Sequence, residues 1–546
     1  MALGTTGLPP LDVSFQEDPR VLKQAATEDY SLHLVPNSWR SGKWSLAMAW
    51  WALCSGMFYI VVAGTVALAV GTKDALIGIA LSVVAYGAIN WVISWYAAKT
   101  GLTVALVSRK LFGYWGAVLA PLIFGATAIY YTVFEGSVIA TVFKTYFGGP
   151  LKIWYLVVIL YSMPLVVGGV RVWLDKLNGF LLPFYIIGLF GALIWAIAKF
   201  GYSGQWLSYH PQSTAGIAGP GWLYAFTSYM GVWILMMYTW DFARFGKVKD
   251  KTFHGAMTFG PVFYVFTFLI NGAIGIFLAH TIKTPGGLSE TTAVIAIVQL
   301  MGIFGVIFVW VSQTRINSAN LYLASANMES FFSRLLKIKL NRLWWVLFSG
   351  IVAYLVMLTN VFSYILHALA WQGVFVVAWV GIALTSIAYR RRSGTEEVVP
   401  EFRPGRVPLV TPGLVSWLVA SGVGIGLVEA GGSFGGTWAS PITFVLAVGI
   451  QAALLYMSPA RSWLMNRPHD PRAEVQDPWE ARVRCSVCDR SYLAMEMDRD
   501  PSSGHSPICA GCASESTSFY HAAHEEARQG QGTAFVPSVA QHEEMT

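Results

Sequence analysis

Residues 310–325 read "WVSQTRINSANLYLAS" and continue a run of nineteen residues, 291–309, without any charge. About 20 apolar residues are enough to cross the hydrocarbon core of a bilayer, which is about 30 Å thick. Arg315 therefore lies inside a membrane segment or just after it, where an arginine costs at least about 3 kcal/mol on insertion scales. Such residues usually face a partner or a cavity. The stretch predicts a membrane protein with a polar interior.

The composition predicts a polytopic helical membrane protein. Of 546 residues, 55% are hydrophobic and only 12% are charged, whereas soluble domains carry about 25% charged residues. The 53 glycines and 23 tryptophans are also typical of membrane helices. The net charge of +7 is therefore no sign of nucleic-acid binding, and we expect none. Residues 1–43 lack the short apolar core of a signal peptide.

Apolar runs of membrane-spanning length occur twelve times, and no soluble domain interrupts them. Their predicted bounds are 44–71, 75–98, 115–146, 152–170, 178–200, 221–240, 255–280, 291–327, 343–362, 365–389, 413–431 and 440–459. The third and eighth runs are long, which indicates tilt or helical ends outside the membrane. The sequence predicts an all-α membrane protein with twelve transmembrane helices.

The distribution of Lys and Arg predicts the orientation, because cytoplasmic loops carry an excess of both. The even-numbered connections hold eighteen of these residues, and the odd-numbered connections with their margins hold five. We expect an integral protein of the plasma (inner) membrane with both termini in the cytoplasm. Residues 1–43 are then a cytoplasmic segment, and residues 390–412 are a cytoplasmic loop.

Three motifs connect the chain to a known family. They are "VVGGVRVWLDKLNGFLLPF" at 166–184, "DFARFGK" at 241–247 and "NSANLYLAS" at 317–325. In their order and position within twelve spans, they resemble the nucleobase–cation symporter family, which includes cytosine and purine permeases and hydantoin and allantoin transporters. The resemblance covers about residues 35–460.

The resemblance implies a LeuT-type fold, in which spans 1–5 and 6–10 are inverted repeats. The ten-helix transport core would be 44–389, and 413–460 would add two helices. In this fold the substrate lies at mid-membrane between broken helices 1 and 6 and the faces of helices 3 and 8. Glycine-containing break points occur at "LCSGMF" (53–58) and "SYMGVW" (228–233). Close helix packing is the alternative role of these glycines.

Candidate substrate-binding residues follow from these positions. Planar heterocycles bind between aromatic faces with a few polar groups at their edge. Tyr131 and Glu135 are four residues apart, so they share a helix face. The family usually has an aromatic residue and a glutamine at this spacing, and the glutamate departs from that pattern. The predicted substrate-binding residues are Ser55, Gly56, Met57, Tyr131, Glu135, Gly231, Val232, Trp233, Ser312 and Gln313.

A coupling-ion site is the second implication of the resemblance. Sodium-coupled members hold the cation between the break in helix 1, here Leu53 and Gly56, and two hydroxyl residues of helix 8. Arg315 and Ile316 fall on those two positions. The hypothesis is that a guanidinium occupies the place of the ion, so that transport does not need sodium and Glu135 carries a proton instead. The alternative is an arginine that snorkels to the cytoplasmic interface.

The polar tail, 461–546, contains "CSVC" (485–488) and, twenty residues later, "CAGC" (509–512). This is the spacing of a four-cysteine zinc site, so Cys485, Cys488, Cys509 and Cys512 are predicted zinc ligands in a zinc-ribbon-like module at 481–515. His505 is a competing ligand, and redox sensing is the rival interpretation. We expect residues 516–546 to be disordered. A protein partner of the tail is expected but not identified.

The sequence predicts a secondary active transporter that imports a nucleobase or a related small heterocycle by alternating access. Protons or sodium are the candidate coupling ions. One alternative is a transporter-like sensor that signals through the zinc-binding tail, and another is an amino-acid transporter of the same fold. No membrane-embedded metal or nucleophile constellation indicates an enzyme, and no organic cofactor is expected.

Overall fold

A computed structural model describes residues 7–27, 33–167, 170–212, 216–284, 289, 291–335, 340, 342–359, 361–393, 400–458 and 463–529. The described chain is mostly helical. Its α-helices are α1 (Pro19–Thr27), α2 (Lys43–Trp51), α3 (Met57–Val70), α4 (Thr72–Thr100), α5 (Val104–Phe147), α6 (Leu151–Val167), α7 (Val170–Phe200), α8 (Gly221–Met230), α9 (Ile234–Ala243), α10 (Lys251–Phe253), α11 (Pro261–Tyr264), α12 (Asn271–Thr281), α13 (Thr292–Met301), α14 (Ile303–Leu335), α15 (Arg342–Met357), α16 (Ile365–Arg392), α17 (Pro412–Ala430), α18 (Gly432–Met457), α19 (Pro471–Glu474), α20 (Ala510–Glu515) and α21 (Thr517–Gln529). Five short strands are β1 (Val13–Ser14), β2 (Arg482–Arg484), β3 (Ser491–Leu493), β4 (Met497–Asp500) and β5 (Ser506–Cys509).

Some of the described helices are both long enough and apolar enough to cross a membrane. Seven helical segments pass this test, and an eighth is added if the bent pair α2 and α3 forms one span. The segment Val248–Thr281 is one of the seven, and it contains two stretches of π-helix, His254–Thr258 and Val265–Ile270. The protein is therefore an integral membrane protein with several apolar helices.

Both predicted break points are present. A short 3₁₀ turn, Ala52–Ser55, and an extended Gly56 separate α2 from α3, and the two helices meet at 45°. A turn at 231–233 separates α8 from α9. A Cβ atom on Gly231 would lie 2.6 Å from the Leu369 carbonyl oxygen, so the glycine allows α16 to pack directly on the second break.

The predicted span 291–327 is wrong as a single helix. It consists of α13 and the first part of α14, which are separated by Gly302 at φ 57°. α13 has ten residues and is about 15 Å long, too short to cross a bilayer. Because both helices are apolar, the composition gave no sign of the turn between them. Arg315 therefore lies well inside α14, twelve residues after the start of this helix.

The predicted third span also differs from the structure, because α5 begins at Val104 and continues through a kink at Gly113. Residues 104–112 thus form a helical extension before the predicted start at 115. The remainder of α5 packs lengthwise against α14, and α16, α17 and α18 form a second tightly packed group. The helix breaks lie between these two groups of helices.

The described parts of the N-terminal segment and of the tail form one module. Strand β1 pairs with β2, and β2 pairs with β3, so Val13 of the N-terminal segment lies opposite Val483 of the tail. Strands β4 and β5 form a separate antiparallel pair. The expectation of disorder from residue 516 is wrong for α21, which buries Phe519 and Ala523 against the module.

Candidate functional site

An amide side chain from α14 holds the break in the first helix. Gln313 Nε2 donates to the Ser55 carbonyl at 3.0 Å, and the Met57 backbone N–H donates to Gln313 Oε1 at 3.1 Å. Backbone groups that a helix break leaves unpaired must find partners when they are buried. Gln313, a predicted substrate ligand, therefore contacts the backbone on both sides of Gly56.

A second amide supports the same break from α12. Asn271 Nδ2 donates to the Cys54 carbonyl at 2.8 Å, and the Tyr185 hydroxyl donates to Asn271 Oδ1 at 3.3 Å. Sequence analysis missed Asn271, although an amide in the apolar run 255–280 was a usable signal. The break is thus fixed by side chains from two different helices.

The Glu135 carboxyl group lies at the start of α3, beside the break. The side chain is 2% exposed and accepts a hydrogen bond from the Phe58 backbone N–H. Its Oε1 lies 3.3 Å from the position that a Cβ atom on Gly56 would take. Its Oε2 is buried and has no hydrogen-bond partner within the described part of the chain. A buried polar atom without a partner costs free energy, so this oxygen is suited to bind a proton or a polar ligand.

Gln372 of α16 connects the Tyr131 face of α5 to the second break. Its Nε2 donates to the Gly231 carbonyl at 2.8 Å and to the Tyr131 hydroxyl at 3.2 Å. The Tyr131 ring meets the Phe58 ring edge to face, with centroids 5.0 Å apart and an interplanar angle of 86°. Sequence analysis missed Gln372, which is an amide in the apolar run 365–389. The structure therefore brings both breaks and the face of α5 together.

Val232 and Trp233 are buried in the second break, but the aromatic contacts of the Trp233 ring are with α18 and α4. It packs edge to face against Phe444 of α18 at 5.4 Å and against Tyr86 of α4 at 6.4 Å. Stacking of Trp233 on a substrate stays a hypothesis. The rings that contact one another next to Glu135 are those of Phe58 and Tyr131.

The remaining predicted residues lie on α14 and at the start of the first break. Ser312 is buried and donates its hydroxyl to the Phe308 carbonyl at 2.6 Å, within its own helix. Arg315 and Ile316 are each 7% exposed, and Leu53 is half-buried. Protein therefore encloses the guanidinium of Arg315, which an arginine at the lipid interface would not require.

The two helix breaks present polar groups and aromatic rings to one buried region. Tyr131, Glu135, Gly231 and Gln372 come from three different helical segments, and Ser55 and Met57 supply backbone groups. This is the arrangement in which discontinuous helices bind a small polar molecule away from bulk water.

Comparisons with known proteins identify the family. The model of the family described as permease for cytosine/purines, uracil, thiamine, allantoin matches residues 34–403. The chain belongs to this permease family. No curated protein matches the chain.

Solved structures with a similar fold include two of Mhp1, a nucleobase-cation-symport-1 family transporter. The closed form with bound bromovinylhydantoin is 17% identical, with a TM-score of 0.58 over 79% of the permease and 96% of Mhp1. The inward-facing form is 16% identical, with a TM-score of 0.61 over 79% of the permease and 95% of Mhp1. A Na⁺-coupled sialic acid symporter in an outward-open state is 15% identical, with a TM-score of 0.54 over 80% of the permease and 93% of the symporter.

These findings establish the class of the protein. The permease has a fold of the LeuT type and is a secondary active transporter of nucleobase-like substrates. The predicted resemblance to nucleobase–cation symporters is confirmed. The family match gives no support to the alternative of an amino-acid transporter.

The tail lies beyond the matched residues and holds a four-cysteine cluster. The sulfur atoms of Cys485, Cys488, Cys509 and Cys512 all lie within 4.8 Å of one another. The Sγ atoms of Cys488 and Cys509 are 4.0 Å apart, and four thiolates bound to one zinc are about 3.8 Å apart. The Cys509 backbone N–H also donates to Cys485 Sγ at 3.3 Å. The donor set and its spacing fit a zinc ion.

Ion pairs join the tail of the permease to the loop between α16 and α17. Arg403 is 1% exposed and lies 2.7 Å from Glu401 Oε2 and 2.7 Å from Asp470 Oδ1. Burial alone would raise the pKa of both carboxyl groups, but Arg403 and neighbouring arginines outweigh it and hold each pKa well below its usual range. Fully ionised groups, of which Arg403 and Glu401 are buried, therefore hold the loop against the tail.

Hydrogen bonds also join α5 to the tail and to the loop between α16 and α17. Arg109 donates to the Phe402 carbonyl at 3.2 Å and to Ser514 Oγ at 3.1 Å, and the Tyr114 hydroxyl donates to the Ser514 carbonyl at 2.6 Å. The module thus rests on the helical extension 104–112 that sequence analysis placed outside the third span.

Proposed function

We propose that the permease imports a nucleobase or a related small heterocycle by alternating access and binds it between the two helix breaks. The observation that carries this proposal is the buried Glu135 Oε2, which has no hydrogen-bond partner within the described chain and lies beside the Tyr131 and Phe58 rings. A carboxyl group next to aromatic rings suits the polar edge and flat face of a heterocycle. Gln372 and the Gly231 carbonyl supply further polar contacts.

The proposed membrane arrangement has twelve spans with a 5+5 inverted repeat. The seven apolar segments and the bent pair account for eight, and α6, the broken pair α8 and α9, α14 and α15 would supply the other four. The excess of Lys and Arg in the even-numbered connections supports cytoplasmic termini in the plasma (inner) membrane. The ten-helix core 44–389, the loop 390–412, the helices within 413–460 and the tail 461–546 remain the proposed divisions.

Sodium-independent transport is the proposed consequence of Arg315. A guanidinium stays charged at physiological pH and carries five donors, so it can neutralise carbonyl groups near a helix break as a bound cation would. It also repels a second cation a few ångströms away in a poorly solvated site. The burial of Arg315 supports this proposal. Arg315→Thr should impair transport and, if the proposal is correct, can create a dependence on sodium.

Proton coupling through Glu135 completes the proposed cycle. The carboxyl group would take up a proton from one side and release it on the other as the bundle rearranges, because removal from water disfavours its charged form. Its position against Gly56 places it where the two halves of the broken helix meet. Glu135→Gln should therefore remove coupling while it retains a neutral polar group of the same shape.

We propose that the tail binds one structural zinc through its four cysteines.

The fold of the tail also supports a second candidate function. The module contacts the segment just before α2: Glu496 Oε2 accepts from the Leu34 backbone N–H at 3.2 Å and lies 3.1 Å from His33 Nδ1. Since α2 is the first half of the broken helix, a ligand-driven movement of α2 would reach the module. A transporter-like sensor would use this connection to signal to a protein partner.

Uptake into proteoliposomes tests the main proposal. Purified permease would be offered radiolabelled cytosine, uracil, allantoin, thiamine and hydantoin, with protein-free vesicles as the control. We expect saturable uptake of at least one compound, and slower uptake by Tyr131→Ala than by wild type. Binding of a compound by the purified permease without any saturable uptake would contradict transport and favour the sensor.

A further inference from the structure

A second group of possible metal ligands lies in the module, apart from the four cysteines. It consists of His469, which follows α18, His505, in the turn between β4 and β5, and Glu526 of α21. One ligand atom from each residue lies within 4.8 Å of the other two. Two histidines and one carboxylate from three separate segments thus converge on one point.

The carboxylate of this group is already oriented. Arg467 Nε donates to Glu526 Oε2 at 2.6 Å, while Glu526 Oε1 lies 3.6 Å from His505 Nδ1. One oxygen is therefore held by arginine, and the other faces the histidines. A hydrogen-bonded partner that orients a ligand in this way is usual around protein metal sites.

The position of His505 is also set by its backbone. The residue has φ 62°, a left-handed conformation that non-glycine residues rarely adopt, and its backbone N–H donates to the Asp500 carbonyl at 2.7 Å. Within the described chain, the buried Nδ1 atom has no hydrogen-bond partner. The ring centroids of His505 and His469 are 4.9 Å apart at an interplanar angle of 75°, so both rings approach the same point from different directions. An unusual backbone conformation here holds an imidazole nitrogen toward a carboxylate.

We propose that His469, His505 and Glu526 form a second metal site that binds a divalent transition metal such as zinc. Two imidazoles and one carboxylate are a ligand set of zinc and of neighbouring first-row metals. Three protein ligands leave a coordination position for water, and all three residues are partly exposed. The metal in this site is therefore exchangeable, whereas four thiolates complete the coordination of the cysteine cluster.

Binding at this site has a structural consequence. His469 belongs to the segment that leaves the membrane after α18, His505 belongs to the β4–β5 turn, and Glu526 belongs to the last described helix. A metal ion would tie these three segments together. The occupied site would hold α21 against the module, so the level of free metal in the cytoplasm would set how firmly the tail is attached.

Metal counting on the full-length permease tests the proposal. The protein would be purified in detergent through a tag without histidine and equilibrated with buffered free zinc, and the bound metal would be measured by mass spectrometry. We expect wild type to bind one zinc more than His505→Ala and one more than Glu526→Gln. The matched control is His521→Ala, an exposed histidine on the same helix, which should bind as much zinc as wild type.

The difference between variants is independent of the cysteine site and of the transport proposal. In cobalt-loaded protein, the charge-transfer absorption of thiolate ligands reports on the four cysteines alone, and it should be unchanged in His505→Ala and Glu526→Gln. That signal also shows that the variant modules are folded. Equal zinc content in wild type, His505→Ala and Glu526→Gln would overturn the proposal.

Discussion

The membrane core and the module formed by the N-terminal segment and the tail are stabilised by opposite means. In the core, apolar helices pack on one another, and side-chain amides such as Gln313 and Asn271 contact the backbone where helices break. In the module, buried arginines such as Arg403 and Arg467 pair with carboxylates, and four cysteines converge. Apolar surfaces slide past one another with little penalty, whereas buried ion pairs require one fixed geometry.

This contrast relates to function. A transporter that alternates its access must let helices shift around the site, and hydrogen bonds at the breaks can be exchanged one at a time. The module is held fixed. Its ion pairs and cysteine cluster keep the loop 401–406, the N-terminal segment and the tail in one arrangement. We therefore expect substitutions in the module to change its stability and substitutions at the breaks to change transport.

The largest expected effect comes from loss of the cysteine site. Cys485→Ser should abolish structural zinc binding and unfold the module, since structural zinc contributes about 10 kcal/mol or more in small zinc domains. Substrate affinity should stay within about twofold of wild type, because distant sites act almost independently. Zinc analysis, limited proteolysis and binding assays would measure these effects, with Val487→Ser, 63% exposed between the same cysteines, as the control. A tenfold loss of affinity would show that the two regions are not separable.

A smaller effect is expected when one buried ion pair is broken. Arg403→Ala removes the closest cation from the buried Glu401 and the partly exposed Asp470. Arg472 and Arg406 stay within 3.5 Å of these carboxyl groups, so the expected cost is about 3 kcal/mol, the low end for a broken buried pair. Because the pKa of each carboxyl group is lower in the folded state, the stabilisation is complete above about pH 5 and is lost progressively as the pH falls further. Thermal unfolding in detergent at neutral pH should show the loss. An equal melting temperature for Arg403→Ala and for Arg391→Ala, an exposed control, would refute it.

The smallest effect distinguishes two aromatic residues at the breaks. Tyr131→Ala should weaken substrate binding about fivefold, which corresponds to about 1 kcal/mol for one ring contact. Trp233→Ala should lower the melting temperature more than the affinity, because its ring packs between Tyr86 and Phe444. Binding and thermal unfolding of both variants decide between these roles. If Trp233→Ala weakens binding more than Tyr131→Ala, the substrate lies on the α18 side of the break.

Much of the core could be predicted from the sequence, because hydropathy reports directly on membrane burial. The breaks at Gly56 and Gly231 were found through glycines in apolar runs. The turn at Gly302 was not, since a short apolar helix has the same composition as part of a span. The amides Asn271 and Gln372 were missed because a single polar residue in an apolar helix does not reveal which backbone group it contacts.

The cysteine cluster of the tail was predictable from the sequence, and the docking of the tail was not. The cysteine spacing is a local pattern, so it indicates a site without any knowledge of the fold. The pairing of Val13 with Val483 joins residues 470 positions apart, and no local pattern encodes it. The helix α21 was missed for a related reason: its polar composition indicates disorder, while a few buried residues such as Phe519 hold it in place.

We propose that Arg315 replaces sodium and that Glu135 carries the coupling proton. The test is the uptake rate, in proteoliposomes, of the panel compound that is transported fastest. The rate is measured first with external sodium replaced by choline at constant pH, and then with an uncoupler that collapses the proton gradient. We expect an unchanged rate in choline, loss of concentrative uptake with the uncoupler, and no effect of the uncoupler on Glu135→Gln. Uptake that stops without sodium and ignores the uncoupler would contradict it.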